Sequence, residues 1–248
     1  MMNRLKDKVA IISGVGRRFG QASALLFAKE GAKVVLTSRS EEIIEKTSEI
    51  INKRNGSSIY KTSNATDISE VSAIAELALS KYGKVDVIVN NVGGFYTKKS
   101  KITDTDWSEW GSTLNNNIKS IFNFCKAVIP QMKKIGGGSI INISAASKTL
   151  LDSNSAYSAA KGGIISLTKN IAFDFHQDNI RVNCVCPGVV RIDANLEEES
   201  ELDLRLKRKG NSEDVANAIL FFASNESAWV TGQVIVVDGG ESLFLTPD

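Results

Sequence analysis

The stretch Lys8-Val9-Ala10-Ile11-Ile12-Ser13-Gly14-Val15-Gly16-Arg17-Arg18-Phe19-Gly20 decides how the rest of the chain reads. A short apolar run ends in serine, passes through closely spaced glycines and enters FGQASALLFAKEG, an amphipathic segment whose Gly31 suits a C-terminal cap. Strand, tight turn and helix make half of a βαβ unit. Runs of the same kind recur at AKVVLTS (32–38), SIYKTSNA (58–65), KVDVIVNN (84–91), GSIINIS (138–144), IRVNCVCPG (180–188) and QVIVVDGG (233–240). They carry few alternating polar positions, as expected of strands covered on both faces. Between them, ISEVSAIAELALSKYG (68–83) and SEDVANAILFFAS (212–224) read as crossover helices, each opening with a serine as N-cap. Seven strands in alternation with helices predict an α/β fold, a three-layer doubly wound parallel sheet with right-handed crossovers.

By length alone, 248 residues suit one large or two small domains. No Pro/Ser-rich linker, repeat or low-complexity tract interrupts the series, and there are only three prolines. Residues 1–248 therefore read as one domain. Thirty basic residues against twenty-eight acidic leave a net charge of +2, too balanced for an electrostatic nucleic-acid binder. No apolar run approaches the ~18 residues of a membrane span. MMNRLKDKVAIIS passes from charge into an apolar run too short for a signal-peptide core, so a soluble cytoplasmic protein is expected.

Cys125, Cys184 and Cys186 sit in apolar stretches and read as reduced core thiols; C-x-C is not a zinc or redox spacing by itself. The single histidine, His176, argues against a Ser-His hydrolase or a multi-histidine metal site and reads as an exposed helical residue, so no metal is expected. The sharpest shift in composition, DANLEEESELDLRLKRKGNSED (193–214), reads as a solvated surface helix and as a mobile lid, since it follows the carboxyl end of the sixth strand, the edge where such sheets bind ligands.

Glycines after the first strand let the chain turn tightly and let backbone N–H groups approach a pyrophosphate at a helix N-terminus. Gly14-x-Gly16-x-x-x-Gly20 is not the G-x-G-x-x-G fingerprint, and its position carries more weight than its pattern. The strongest single signal is Tyr157-Ser158-Ala159-Ala160-Lys161. Residues four apart share a helix face, so the phenol and the ammonium are neighbours. A nearby cation lowers a phenol from its ordinary pKa of ~10 towards the range a proton shuttle needs.

Over about residues 5–240 the chain resembles the short-chain dehydrogenase/reductase family. That family's first loop reads T-G-x-x-x-G-x-G; here Ser13 stands for the threonine, Gly14 and Gly20 match, and Arg18 replaces the middle glycine. The resemblance implies a Rossmann-like sheet whose first loop (Gly14, Gly16, Arg17, Arg18, Phe19, Gly20) faces a nicotinamide cofactor. Members that use NAD place an acid near the end of the second strand, and Leu36-Thr37-Ser38-Arg39-Ser40 holds none. Arg17 resembles the basic residue of NADP-dependent members. Two guanidiniums at ~1.5–3 kcal/mol each would separate NADP from NAD by over a hundredfold. NADP(H) is the expected cofactor, with NAD(H) left open.

Further correspondences follow from the same resemblance. Asn64-Ala65 falls where the family contacts adenine, and Asn90-Asn91-Val92-Gly93 matches its N-N-A-G segment, with Asn90 read as structural. Tyr157 would be the general acid/base, Lys161 would lower its pKa and hold the ribose, and Asn117, seven residues after Trp110, would fix a relay water. The family's serine lies thirteen residues before the tyrosine, which selects Ser144. Counting forward from Gly138-Ser139 puts Ala145 in that slot, with Ser147 as a fallback. Pro187-Gly188 matches the P-G turn beside the carboxamide, with a main-chain contact from about Val190 and Ile192 in place of a threonine. The segment Thr231–Gly240 resembles the strand at which members pair into dimers and tetramers, so a homotetramer or homodimer is expected.

The function expected is an NADP(H)-dependent oxidoreductase interconverting a small-molecule carbonyl and a secondary alcohol. Alternatives are a 3-oxoacyl-carrier-protein reductase, whose acidic carrier would meet Arg205, Lys207, Arg208 and Lys209, or a glucose 1-dehydrogenase. Arg18, Ile192 and Ala145 also permit a degenerate member that binds cofactor without turnover.

Overall fold

A computed structural model describes residues 3–94, 100–190 and 210–244. Strand β1 (Val9–Ser13) is followed by helix α1 (Phe19–Lys29), β2 (Lys33–Thr37), α2 (Glu41–Lys53), β3 (Ser57–Tyr60), α3 (Ile68–Tyr82) and β4 (Val87–Asn90). The second half runs α4 (Trp107–Leu114), a π-helical turn (Asn115–Lys119), α5 (Ser120–Lys134), β5 (Gly138–Ile143), α6 (Ser147–Leu151), α7 (Ser155–Phe175), β6 (Ile180–Pro187), α8 (Ser212–Ala223) and β7 (Val234–Val237). The seven strands form one parallel sheet in the order β3-β2-β1-β4-β5-β6-β7.

Alternate residues of each strand enter one of two cores. Ile11, Ile88, Ile140 and Val182 meet Val71 and Ile74 of α3, Ile121 and Phe124 of α5 and Ile164 of α7. Ala10, Ile12, Val89 and Ile141 meet Phe27 of α1, Ile44 and Ile51 of α2, and Leu220 and Phe222 of α8. All seven expected strands are present, which accounts for the two-sided apolar runs in the sequence.

Some local expectations need correction. The third strand ends at Tyr60, not Ala65. Beyond it the chain leaves the regular ladder, keeping Lys61 N–H to Leu36 O (3.1 Å) and Ser63 N–H to Ser38 O (3.0 Å), and then turns where Asn64 Oδ1 accepts from Thr66 N–H at 3.1 Å. Nor do serines cap the crossover helices. Asp67 caps α3 through Ser69 and Glu70 N–H, and Asn211 caps α8 in a reciprocal box with Asp214. A carboxylate or amide one residue upstream of the helix outcompetes the first-turn serine for those N–H groups. Gly31 behaves as expected, with φ +90° just after the C-cap of α1. The three cysteines are buried and free, and His176 is exposed in a short 3₁₀ turn after α7. Of the proposed lid, residues 193–209 lie outside the described residues, as do Ile192 and the basic cluster at 205–209, while Ser212–Asp214 form the first turn of α8.

Candidate active site

The strand order reverses between β1 and β4, so the loops leaving their carboxyl ends diverge and open a cleft between them. Gly14 has φ +63°, and a Cβ built there would stand 2.8 Å from Val92 Cα. Only glycine lets the two loops pass this closely. Ser13 Oγ donates to Val89 O (3.1 Å) and accepts from Asn91 N–H (3.2 Å), while Asn91 Nδ2 donates to Gly14 O at 2.7 Å. Gly16, by contrast, has open space where a side chain would begin. Helix α1 starts without a side-chain cap and with no acid in its first turn, leaving its positive end towards the cleft.

Two cavities of about 270 Å³ and 410 Å³ share Gly14, Gly16, Asn91 and Gly93. The first is walled by Ser38, Arg39, Asn64, Ala65 and Val92. The second is walled by Arg17, Arg18, Phe19 and Gly20 on one side and by Ser144, Tyr157, Lys161, Pro187 and Gly188 on the other. Among the described lining residues there is no Asp or Glu, against four cationic side chains, Arg17, Arg18, Arg39 and Lys161. An uncapped helix start, the open face of Gly16 and a carboxylate-free wall of cations fit a phosphate-bearing dinucleotide.

Tyr157 and Lys161 lie on the inner face of α7, 8% and 3% exposed. Asn154 caps that helix through Tyr157 N–H (2.8 Å), fixing the start of the turn that carries the tyrosine. Lys161 Nζ is 5.7 Å from the centre of the Tyr157 ring and donates to Ile143 O at 2.9 Å. Burial pushes the Lys161 ammonium down to about 8, with Cys184 and Cys186 pulling weakly the other way. The ammonium thus survives at neutral pH and is lost soon above it.

Asn117 sits in the π-helical turn between α4 and α5, an irregularity that widens the helix by one residue and aims a side chain the regular spiral would not. Its Oδ1 accepts from Gly94 N–H (3.2 Å), and its Nδ2 donates to Gly94 O (3.2 Å) and Thr113 O (2.9 Å). A Cβ on Gly93 would stand 2.6 Å from Asn117 Oδ1 and 2.7 Å from Lys161 Nζ, so both polar tips press on that glycine from behind. Asn117 is fully buried there, while Asn116 reaches the first cavity. Asn90 is also buried, donating to Asn142 Oδ1 at 2.9 Å, in keeping with a structural role.

Ser144 and Ala145 both reach the cavity wall, and Ser147 is exposed outside it. The Ser144 hydroxyl donates to the Lys161 carbonyl at 2.7 Å, with Cys186 also within its hydrogen-bonding reach. Pro187 and Gly188 line the second cavity, with Pro187 O accepting from Ala146 N–H (2.8 Å). The Val190 side chain packs into the core rather than the cavity, and Val189, 71% exposed, lines the wall instead. Sequence reasoning did not single out Val189, nor Thr149, a hydroxyl in the same wall within the 146–154 segment expected to shape the substrate pocket. No spacing rule marks either, because their places depend on how α6 and the end of β6 pack.

The family model described as enoyl-(acyl carrier protein) reductase matches residues 14–242. The 7alpha-hydroxysteroid dehydrogenase of Clostridium sardiniense is 39% identical over 98% of this chain and 96% of its own. The 3-oxoacyl-(acyl-carrier-protein) reductase of Thermotoga maritima is 36% identical over 96% of this chain and 98% of its own. Among solved structures, a short-chain type dehydrogenase/reductase of Mycobacterium ulcerans superposes with a TM-score of 0.88 at 27% identity, covering 98% of this chain and 93% of that one.

Proposed function

The chain belongs to the short-chain dehydrogenase/reductase family of oxidoreductases, which bind NAD(P)(H), and from that premise we propose that it interconverts a ketone and a secondary alcohol with NADP(H) as preferred cofactor. The observation that carries this reading is the buried Lys161–Tyr157 pair in the wall of a cleft lined by cations and by no described carboxylate. Arg39 stands at the end of β2, and Arg17 in the first loop, for the 2′-phosphate; Gly16 and the start of α1 would take the pyrophosphate. Bound there, the nicotinamide supplies the hydride donor in one direction and the acceptor in the other.

The protein's own groups handle the proton. Tyr157 gives its phenolic proton to the carbonyl oxygen as negative charge develops there, and takes it back in alcohol oxidation. Lys161, held by Ile143 O, stabilises the phenolate left behind. Asn117 holds the Gly93–Gly94 backbone against which the ammonium packs, and with it the proton relay. Ser144 keeps Lys161's carbonyl in place, and its hydroxyl reaches a substrate oxygen only by leaving that bond.

The relatives named above are a hydroxysteroid dehydrogenase and a 3-oxoacyl-(acyl-carrier-protein) reductase, and a secondary alcohol or its ketone is the group the two names share. No helix among the described residues is long and apolar enough to cross a membrane. Trp107, Phe122, Trp229 and Leu243 leave apolar surface exposed on α4, α5 and around β7, which favours a homodimer or homotetramer, checked by light scattering.

The test of the whole reading is NADPH oxidation, followed at the reduced-nicotinamide absorption band, across ketones, 3-oxoacyl thioesters and sugars. Turnover with a ketone-bearing class is expected. Tight NADPH binding with no turnover anywhere would instead favour a cofactor-binding protein without catalysis.

A further inference from the structure

Asn142 and Ser144 face the same side of the sheet, towards α7. Asn142 Nδ2 donates to Thr168 Oγ1 at 2.9 Å, and the Ser144 hydroxyl donates to Lys161 O at 2.7 Å. Cys184 is the register partner of Asn142, and Val185 that of Ile143. Ser144 N–H continues the ladder to Val185 O at 2.9 Å, which brings Ser144 abreast of Cys186. Residues abreast in neighbouring strands share a face, so the two thiols and the two polar side chains form one patch beneath α7. Cys184 and Cys186 are buried there, 0% and 2% exposed.

Around the Cys186 sulfur stand Cys184 Sγ, Ser144 Oγ, the Lys161 ammonium and Ala145 N–H. The last three belong to residues that line the second cavity, while Cys186 itself lines neither cavity. Where each proton goes follows from the donors and acceptors present. Cys184 Sγ donates to Val185 O at 3.8 Å, and Ser144 donates to Lys161 O. Of the four neighbours, only Cys184 Sγ, 3.9 Å away, and Ser144 Oγ can accept the S–H of Cys186. A hydroxyl oxygen is the better acceptor, since sulfur accepts only weakly. Rotation about the Cβ–Oγ bond of Ser144 redirects its proton and leaves the oxygen in place. The Lys161 carbonyl lies inside α7, whose own ladder continues to use it.

We propose that Cys186 is a positioning residue for the Ser144 hydroxyl: its S–H holds Ser144 Oγ at the end of β5 and leaves that oxygen's proton to pass from Lys161 O to the substrate oxygen. This rests on the reaction proposed above, in which negative charge builds on that oxygen beside the Tyr157 phenol. A donor to Ser144 Oγ polarises its O–H, so the effect grows as the charge builds and falls on kcat more than on KM. Cys186 gives no proton to the substrate.

The experiment measures NADPH-dependent reduction of 2,3-butanedione by Cys186→Val and Cys186→Ser, each alone and on a Ser144→Ala chain, with Tyr157→Phe alongside and NADPH binding read by fluorescence. The valine replacement keeps a side chain of similar size without the donor, and the serine replacement keeps a donor. One hydrogen bond of ordinary strength is about two- to tenfold in rate. We expect Cys186→Val to lose about threefold or more in kcat, with KM and NADPH affinity unchanged, and Cys186→Ser to recover most of that loss. On the Ser144→Ala chain, which lacks the oxygen to be held, Cys186→Val should leave kcat unchanged. An undiminished kcat in Cys186→Val, a Cys186→Ser chain as impaired as Cys186→Val, or an equal loss on the Ser144→Ala chain overturns the assignment. Should Cys186→Val fail to fold, as read by circular dichroism, Cys186→Ala against Cys186→Ser gives the same comparison. If Tyr157→Phe is inactive while Cys186→Val is fully active, this proposal alone falls; if Tyr157→Phe turns over normally, the wider reading falls with it.

Discussion

Lys161 Nζ stands 5.7 Å above the Tyr157 ring and is anchored there by the carbonyl of Ile143, the last residue of β5. The pair is therefore fixed by the sheet as well as by helical spacing, and the charge beside the phenol cannot swing out to solvent. Gly93 closes the other side, which gives the first prediction. Gly93→Ala puts a methyl group within 2.6–2.7 Å of Asn117 Oδ1 and Lys161 Nζ, two tips held by hydrogen bonds. It should lower kcat at least tenfold while the chain stays folded, as judged by kinetics and circular dichroism on one preparation. Activity within twofold of the starting protein would show that the ammonium has slack.

In the proposed function, cofactor choice rests on Arg39, which lines the first cavity. Arg39→Asp replaces a cation by an anion where a 2′-phosphate would sit, and each such contact is typically ~1.5–3 kcal/mol. The ratio of NADP to NAD affinity should fall by about tenfold or more, measured by titrating both cofactors. An unchanged ratio would remove Arg39 from the site.

Lys161 also sets a pH dependence of stability. Its folded-state value near 8 lies below its ordinary 10.5, so between these limits the unfolded chain keeps a proton that the folded chain has released. Stability attributable to this residue therefore rises with pH across that window, by about 2–3 kcal/mol between pH 8 and 10. Urea unfolding of the protein and of Lys161→Met at both pH values should show that difference. Parallel curves would mean the lysine is not desolvated.

Much of this was legible in the sequence. Runs apolar on both faces located the central strands, because a parallel sheet covered by helices leaves no polar alternation, while the edge strands β3 and β7 are only partly covered. Spacing of four paired Tyr157 with Lys161, since a helix alone brings them together. Counting along the chain failed where the backbone departs from regular geometry. It placed Ser144 in the cavity wall but not the direction of its proton, which follows from the approach of α7. It placed a main-chain contact at about Val190, and says nothing of the side chains there, of which Val190 packs into the core and Val189 lines the cavity wall. The π-helical turn behind Asn117 leaves no mark in Asn115-Asn116-Asn117, since one extra residue per turn is a backbone property. The serines heading two helices lost their caps to Asp67 and Asn211, one residue upstream of each helix.

The most direct measurement is single-turnover reduction of a ketone by Tyr157→Phe, with NADPH bound at saturation. Removing the phenolic hydroxyl should cut the rate by about 10²–10⁴-fold and leave NADPH affinity within twofold, as befits a proton donor that does little to hold the cofactor. A rate within tenfold of the unaltered protein would contradict the account at its centre, because a group other than Tyr157 would then be carrying the proton.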